Sequence, residues 1–388
     1  MIEELGLKNL CSTAKNGSEK ATQRLFSAEG SLHIYSNLPT VLTPAELYQA
    51  KENSLLKNAL NNCNIYIIAT RKRILIDPNH FFEKEGIFFG DFWVQKPDGF
   101  EAVPFQWAIP KNLIEKNIPY KLSVSPAGTH LFVVFDDKNI SFPVHLIVSQ
   151  CKSFLIDRDT DLDVLYIGQA IGKSKVRSAV DRLLNHSTFQ RILCDMVTFD
   201  PQSEILLLLY QFGQSKMFIS TGGDMNAEPL ASADEERAHL KRMSNPKLTR
   251  HSQIALAEAG LIRYFQPCYN TQLKSSDFSN RKKIKIIEKL LTQDLTGLIV
   301  EICTANVNSR LRTDVAPPVD MNARFDSDVL NGTRLESTAD KLEWAAELHA
   351  MAHSHFANFP LTTSEERDTF MHGMVWCGET EREDFMKA

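Results

Sequence analysis

Long hydrophobic runs are missing from this chain. Its oiliest segment, residues 205–209, is only strand-sized, well short of the length that spans a bilayer. The N-terminus, Met1-Ile2-Glu3-Glu4-Leu5, is acidic and has neither the basic nor the apolar region of a secretion signal, so a cytoplasmic protein with no membrane partner is expected. Paired cysteines are missing too. Seven cysteines, an odd number without paired spacing, suit a reducing compartment better than a disulfide framework. Cys63, Cys151, Cys194 and Cys303 stand beside apolar stretches and read as buried thiols. No excess of positive charge advertises nucleic acid, the formal net charge being −5. Local basic surface matters more than the total, and two basic runs exist: Lys241-Arg242 with Lys247 and Arg250, and Arg281-Lys282-Lys283 with Lys285. Internal repeats and low-complexity tracts are absent as well.

What the chain does have is enough length, 388 residues, for two or three cores, with ordinary hydrophobic (43%) and charged (23%) content. Thr43-Pro44-Ala45-Glu46 places a cap, a first-turn proline and a capping-box glutamate in order, starting a helix expected to run to Asn61-Asn62. From Asn64 the texture turns to short aromatic or β-branched segments at 65–69, 73–76, 86–94, 103–109, 129–135 and 141–148, separated by turn residues. These define an expected N-terminal β-rich α+β domain, residues 1–150. Strands at 153–156 and 163–166 flank an Asp-rich turn and suggest a hairpin. A helix follows, then a buried strand at 204–212, an expected insertion at 213–249, and a helix ending at Pro267. A C-terminal α/β extension, 276–388, contains a basic helix (281–291), a strand (297–303) and an Ala-rich helix (337–356).

One residue stands out by contradiction. Counted at helical spacing, Ile254, Glu258, Leu261, Ile262 and Phe265 share one face. A carboxylate on an oily stripe is costly unless a cation pairs with it. A metal ion would do so, and so would a core arginine such as Arg182.

Glu258 and its neighbours, together with Tyr166-Ile167-Gly168 on a strand, carry a family resemblance. Residues 151–275, about a third of the chain, resemble the GIY-YIG nuclease domain. The second tripeptide of that name is intact at Tyr166-Ile167-Gly168. An Arg and a His one turn apart fit Arg182-Leu183-Leu184-Asn185-His186. The family's metal-binding glutamate matches Glu258, followed by Leu-Ile and Phe-x-Pro, and its closing asparagine matches Asn270. The resemblance implies a three-stranded antiparallel sheet flanked by helices that hydrolyses nucleic-acid phosphodiesters with one Mg²⁺ or Mn²⁺. In that scheme Tyr166 orients or deprotonates the attacking water and Arg182 grips the phosphate. His186 holds phosphate or assists proton transfer, Glu258 holds the metal, and Asn270 fixes a phosphate oxygen or a ligand water. Lys173, Lys175 and Arg177 add positive charge at the mouth. The gap before Arg182 is longer than usual, so Arg177 competes with it for the phosphate. Near Phe154-Leu155-Ile156, where the first tripeptide would bring another tyrosine, there is none. The implied partner is nucleic acid, DNA in preference to RNA, and the flanking regions would serve substrate choice, a protein partner or homo-oligomerisation. Such domains occur in repair enzymes, restriction enzymes and mobile-element endonucleases, and that analogy alone implies a role against invading DNA.

Other readings compete. The alternative from a different class is a catalytically degenerate domain of this type that binds nucleic acid or a protein, favoured by the missing tyrosine. Gly168-Gln169-Ala170-Ile171-Gly172-Lys173-Ser174 looks like a phosphate loop but has three residues between its glycines where four are needed. His349, His353 and His355 sit near one-turn spacing, yet without His-Glu-x-x-His they read as solvent-edge histidines rather than a zinc site.

Overall fold

The computed structural model describes residues 25–50, 52–114, 119–136, 138–170, 179–220, 229–244, 246, 248–271 and 284–361. The fold is mixed α+β with several sheets. At its centre is Ile65–Lys72, a strand whose first seven residues are all buried. A strand apolar on both sides has to be covered on both faces, and this one is. It pairs antiparallel with Leu162–Gln169 on one side and Ser203–Tyr210 on the other. Leu311–Arg312 and Thr40–Leu42 extend the sheet to five strands.

Alternation divides the central strand between two cores. Tyr66 and Ile68 face a core built with the helices Pro44–Ala50, Ala179–Leu184 and Ser187–Phe199. Ile65, Ile67 and Ala69 face a larger core around the helix Arg250–Phe265. That helix is shared with a second sheet, ordered Phe212–Ser220, Glu29–Ser36, Leu295–Cys303, Ser354–Pro360. Its Gly260 is needed for the close approach, because a Cβ there would lie 2.9 Å from Val300 Cγ2 and 3.2 Å from Phe359. A third core, centred on Phe88, Phe92, Phe105 and Trp107, belongs to a four-stranded and a three-stranded antiparallel sheet between residues 74 and 153. This β-rich unit is inserted between the two strands that carry Tyr66 and Tyr166.

The boundaries expected from sequence therefore do not follow the sheets. A cut at 150 separates the central strand from its partner Leu162–Gln169, and the C-terminal region supplies strands to both the central and the second sheet. The insertion expected at 213–249 begins as the strand Phe212–Ser220, paired along Glu29–Ser36. The expected 153–166 hairpin is replaced by a short helix, Asp157–Thr160, and Lys152–Ser153 pairs instead with Gly99–Ala108. The expected strand at 141–148 stops at Pro143, which caps the helix Val144–Gln150. There Val144, Ile147 and Val148 bury one stripe, and that burial outweighs their β preference. The helix begun by the Thr43–Glu46 capping box forms as expected, with Glu46 accepting from Thr43 N at 2.8 Å, but it breaks after Ala50 and resumes as Ser54–Leu60. The Ala-rich helix ends at Ala352, and Ser354–Pro360 is strand. Cys63 is buried as expected, whereas Cys194 is exposed. Among the described residues no helix is long and apolar enough to cross a membrane.

Candidate active site

In an antiparallel pair, residues opposite one another share a face, and Gly168 lies opposite Tyr66, with Tyr166 opposite Ile68. The Tyr66 ring covers Gly168, which has no side chain to resist it. A Cβ at Gly168 would lie 2.6 Å from Tyr66 Oη and 2.9 Å from Tyr166 Cε1. The glycine thus lets two phenols stack side by side, ring centroids 6.2 Å apart and 28° between planes. His186 closes the group. Its ring sits 5.2 Å from that of Tyr166 and edge-on to Tyr66 at 6.1 Å, with Nε2 3.5 Å from Tyr166 Oη. It is placed there as the extended residue (φ −96°, ψ 112°) between Ala179–Leu184 and Ser187–Phe199.

Two charged side chains act on the phenols. Burial pushes the Tyr66 phenol far above its usual range. The neighbouring Tyr166 adds to this, Arg182 opposes it and Glu258 reinforces it. Tyr166 is raised by burial and by Glu258, and is pulled back by Arg182. His186 is lowered by burial and by the Arg182 guanidinium, which favours neutral imidazole. Arg182 itself is exposed. Glu258 is half-buried midway along Arg250–Phe265, the helix that Thr249 caps by accepting from Ser252 N at 3.2 Å. Two polar atoms among these residues are buried without a hydrogen-bond partner, Tyr66 Oη and His186 Nδ1. Unsatisfied polar atoms are costly in a folded interior, and these two lie beside Arg182.

Of the sequence-identified residues, Tyr166, Arg182, His186 and Glu258 come together. Asn270 lies alongside but is occupied: its Oδ1 accepts from Ile167 N and its Nδ2 donates to Ile167 O, both at 2.9 Å. Its expected contact with phosphate or a ligand water is thereby replaced by a clamp on the Tyr166 strand. Tyr269 supports the same turn, with its N–H donating to Leu165 O at 3.1 Å and its hydroxyl to Asp195 at 2.9 Å. Lys173, Lys175 and Arg177 lie outside the described residues, as does the Lys173 end of the phosphate-loop look-alike.

Tyr66 is the residue that the sequence reading missed. The signal was Asn64-Ile65-Tyr66 at the start of a strand, a hundred positions before Tyr166 and hidden by the intervening β-rich unit. Phe154, where the tyrosine was sought, is 81% exposed, and its N–H points to Pro104 O at the edge of that unit.

A cation would find an oxygen ligand here in the Glu258 carboxylate, which acts on both phenols and is of the type a hard divalent ion prefers. Among the described residues no group of three or more His, Cys, Asp or Glu side chains is gathered. The C-terminal histidines are engaged by backbone instead. His349 Nε2 meets Ala305 O at 3.0 Å and His353 Nδ1 meets His349 O at 2.7 Å. His355 is not at the solvent edge as expected; it is 2% exposed, with Nε2 on Leu311 O at 2.8 Å. Comparison with family models, with curated proteins and with solved structures finds no match.

Proposed function

We infer that the protein is a metal-dependent nuclease hydrolysing nucleic-acid phosphodiesters, with Tyr66 supplying the second phenol that the GIY-YIG resemblance calls for. The observation that carries this reading is the pair of phenols packed over Gly168, with Arg182, His186 and Glu258 acting on them. The alternative of a degenerate binding module rested on the missing tyrosine, and Tyr66 removes that argument.

Hydrolysis forms one P–O bond from water and breaks another, so the water must lose a proton while charge builds on the phosphate. Raised phenol pKa values keep Tyr66 and Tyr166 protonated near neutral pH, so they first act by orienting the water through hydrogen bonds. Neutral His186, 3.5 Å from Tyr166 Oη, takes the Tyr166 proton as Tyr166 accepts one from the water. Arg182 offers a planar fork to two phosphate oxygens. A hard divalent cation, Mg²⁺ or Mn²⁺, held by Glu258 would supply positive charge to the phosphate and the departing oxygen. DNA is the favoured substrate over RNA, and repair, restriction or defence is the setting that fold-level analogy offers.

The test is a cleavage panel of supercoiled DNA, single strands and RNA with Mg²⁺ or Mn²⁺. The parent should cleave, Glu258→Ala should abolish cleavage, and Arg182→Ala should reduce it by about 10²-fold or more. Undiminished cleavage by both variants would defeat the assignment.

A further inference from the structure

The Glu258 helix packs on one face of the second sheet, and among the described residues the side chains of the opposite face include exposed aromatic rings. On that opposite face, register brings side chains of four strands into rows. His33 stands opposite Lys216 and Ile299, and Tyr35 stands opposite Glu301, which in turn faces Phe356. Phe218 begins the next row, beside Ser31 and Gly297, two small residues that leave the floor low. Around the central imidazole lie three rings: Tyr35 at 5.5 Å, Phe218 at 6.0 Å and Phe356 at 6.4 Å between centroids. Phe218 is 41% and Phe356 39% exposed, so their faces are reachable from solvent. Lys216 holds its ammonium 4.8 Å above the Tyr35 ring. His33 is itself 94% buried, and its Nδ1 has no hydrogen-bond partner, while Nε2 lies 2.8 Å from Glu301.

We propose that this open face is a stacking platform for unpaired bases, and that single-stranded nucleic acid is what it binds. The proposal rests on the nuclease reading for its biological sense, not for its chemistry. Flat rings spread over several strands of one sheet suit bases, every one of which has a π-face, and a single strand offers those faces where a duplex hides them. The intervening groups point the same way. The core of a protein interface is depleted of charge, whereas these rings alternate with Lys216, His33 and Glu301. Lys216, its ammonium lying over the Tyr35 ring, is placed to meet the phosphate of a nucleotide whose base stacks on the exposed Phe218. The Glu301 carboxylate can accept from the exocyclic amino groups of adenine, cytosine or guanine.

The experiment is fluorescence anisotropy of the full chain with a labelled, mixed-sequence oligonucleotide of about 16 nucleotides, as DNA and as RNA, in EDTA so that no cleavage occurs. Wild type should bind both strands, blunt duplex should compete poorly, and raising salt should weaken binding with a shallow slope, because stacking dominates over phosphate contacts. The double variant Tyr35→Ala/Phe218→Ala should bind at least about tenfold more weakly, with an unchanged melting temperature. The ring-keeping pair Tyr35→Phe/Phe218→Tyr should stay within about twofold of wild type. Equal binding by the double alanine variant, equal competition by duplex, or no binding by wild type would overturn the platform. A wild-type dimer that the double alanine variant dissolves would also overturn it, assigning the face to a second copy of the chain. Because the assay needs no metal, a protein that fails to cleave can still pass it, and one that cleaves can still fail it.

Discussion

The central sheet and the second sheet share one helix and treat their aromatic side chains in opposite ways. The central sheet encloses Tyr66 until it is 1% exposed and leaves its hydroxyl unpaired. The second sheet leaves Phe218 and Phe356 open to solvent. Enclosure lowers the local dielectric, raises phenol pKa values and strengthens the pull of Arg182 and Glu258, which is what a reacting site requires. Exposure leaves ring faces available and their electronics ordinary, which is what a contact surface requires. The same residue class does chemistry or makes contact according to how much protein lies over it.

That contrast can be broken most forcefully at Gly168. Gly168→Ala should lower cleavage about 10³-fold, because the added methyl displaces both phenols, and should lower stability by about 1–3 kcal/mol from overpacking. Steady-state cleavage alongside thermal melting checks both. Acid comes next. His355 is depressed to about 4 by burial, against an ordinary value of 6.5. Above pH 6.5 it is neutral both folded and unfolded and adds no pH dependence. As pH falls from 6.5 towards 4 the unfolded chain takes up a proton that the folded chain refuses. This group's share of stability therefore falls by about 3 kcal/mol across that window. His355→Gln should flatten the pH dependence of urea midpoints between those limits.

A smaller effect is expected where the two sheets join. Asn64 Nδ2 donates to Phe212 O at 2.6 Å and its Oδ1 accepts from Phe212 N at 2.9 Å, at the corner where the chain leaves one sheet for the other. Asn64→Ala strands two buried backbone groups and should cost about 2 kcal/mol in denaturant unfolding. The smallest effect concerns pH and rate. Since His186 is lowered from its usual value, the acid limb of the cleavage profile should fall below pH 6.5. Substituting Arg182 with Gln removes a cation that helps lower it, so the residual activity should lose its acid limb at higher pH.

Local grammar was readable in the chain. The capping box at Thr43, the Glu258 stripe and the Tyr166-Ile167-Gly168 strand each depend on residues within one or two turns of one another. What escaped depended on distance. Tyr66 meets Tyr166 across a β-rich insertion that has its own core, so nothing near Tyr166 in sequence announces its partner. Glu29–Ser36 and Leu295–Cys303 pair in parallel though they are separated by most of the chain. Asn270 clamps the backbone of Ile167, and which backbone groups lie opposite a side chain is not encoded by spacing.

Two substitutions that differ only in which face of the central sheet they touch test the central claim most directly. Tyr66 and Tyr210 each bury a hydroxyl that has no partner, Tyr66 beside Arg182 and Glu258, Tyr210 in the core shared with the second sheet. Replacing either with Phe removes an unsatisfied polar atom and should leave the melting temperature unchanged or higher. Cleavage should fall at least about 10²-fold in Tyr66→Phe and stay at the parental rate in Tyr210→Phe. Full activity in Tyr66→Phe would contradict the account, whatever Tyr210→Phe does.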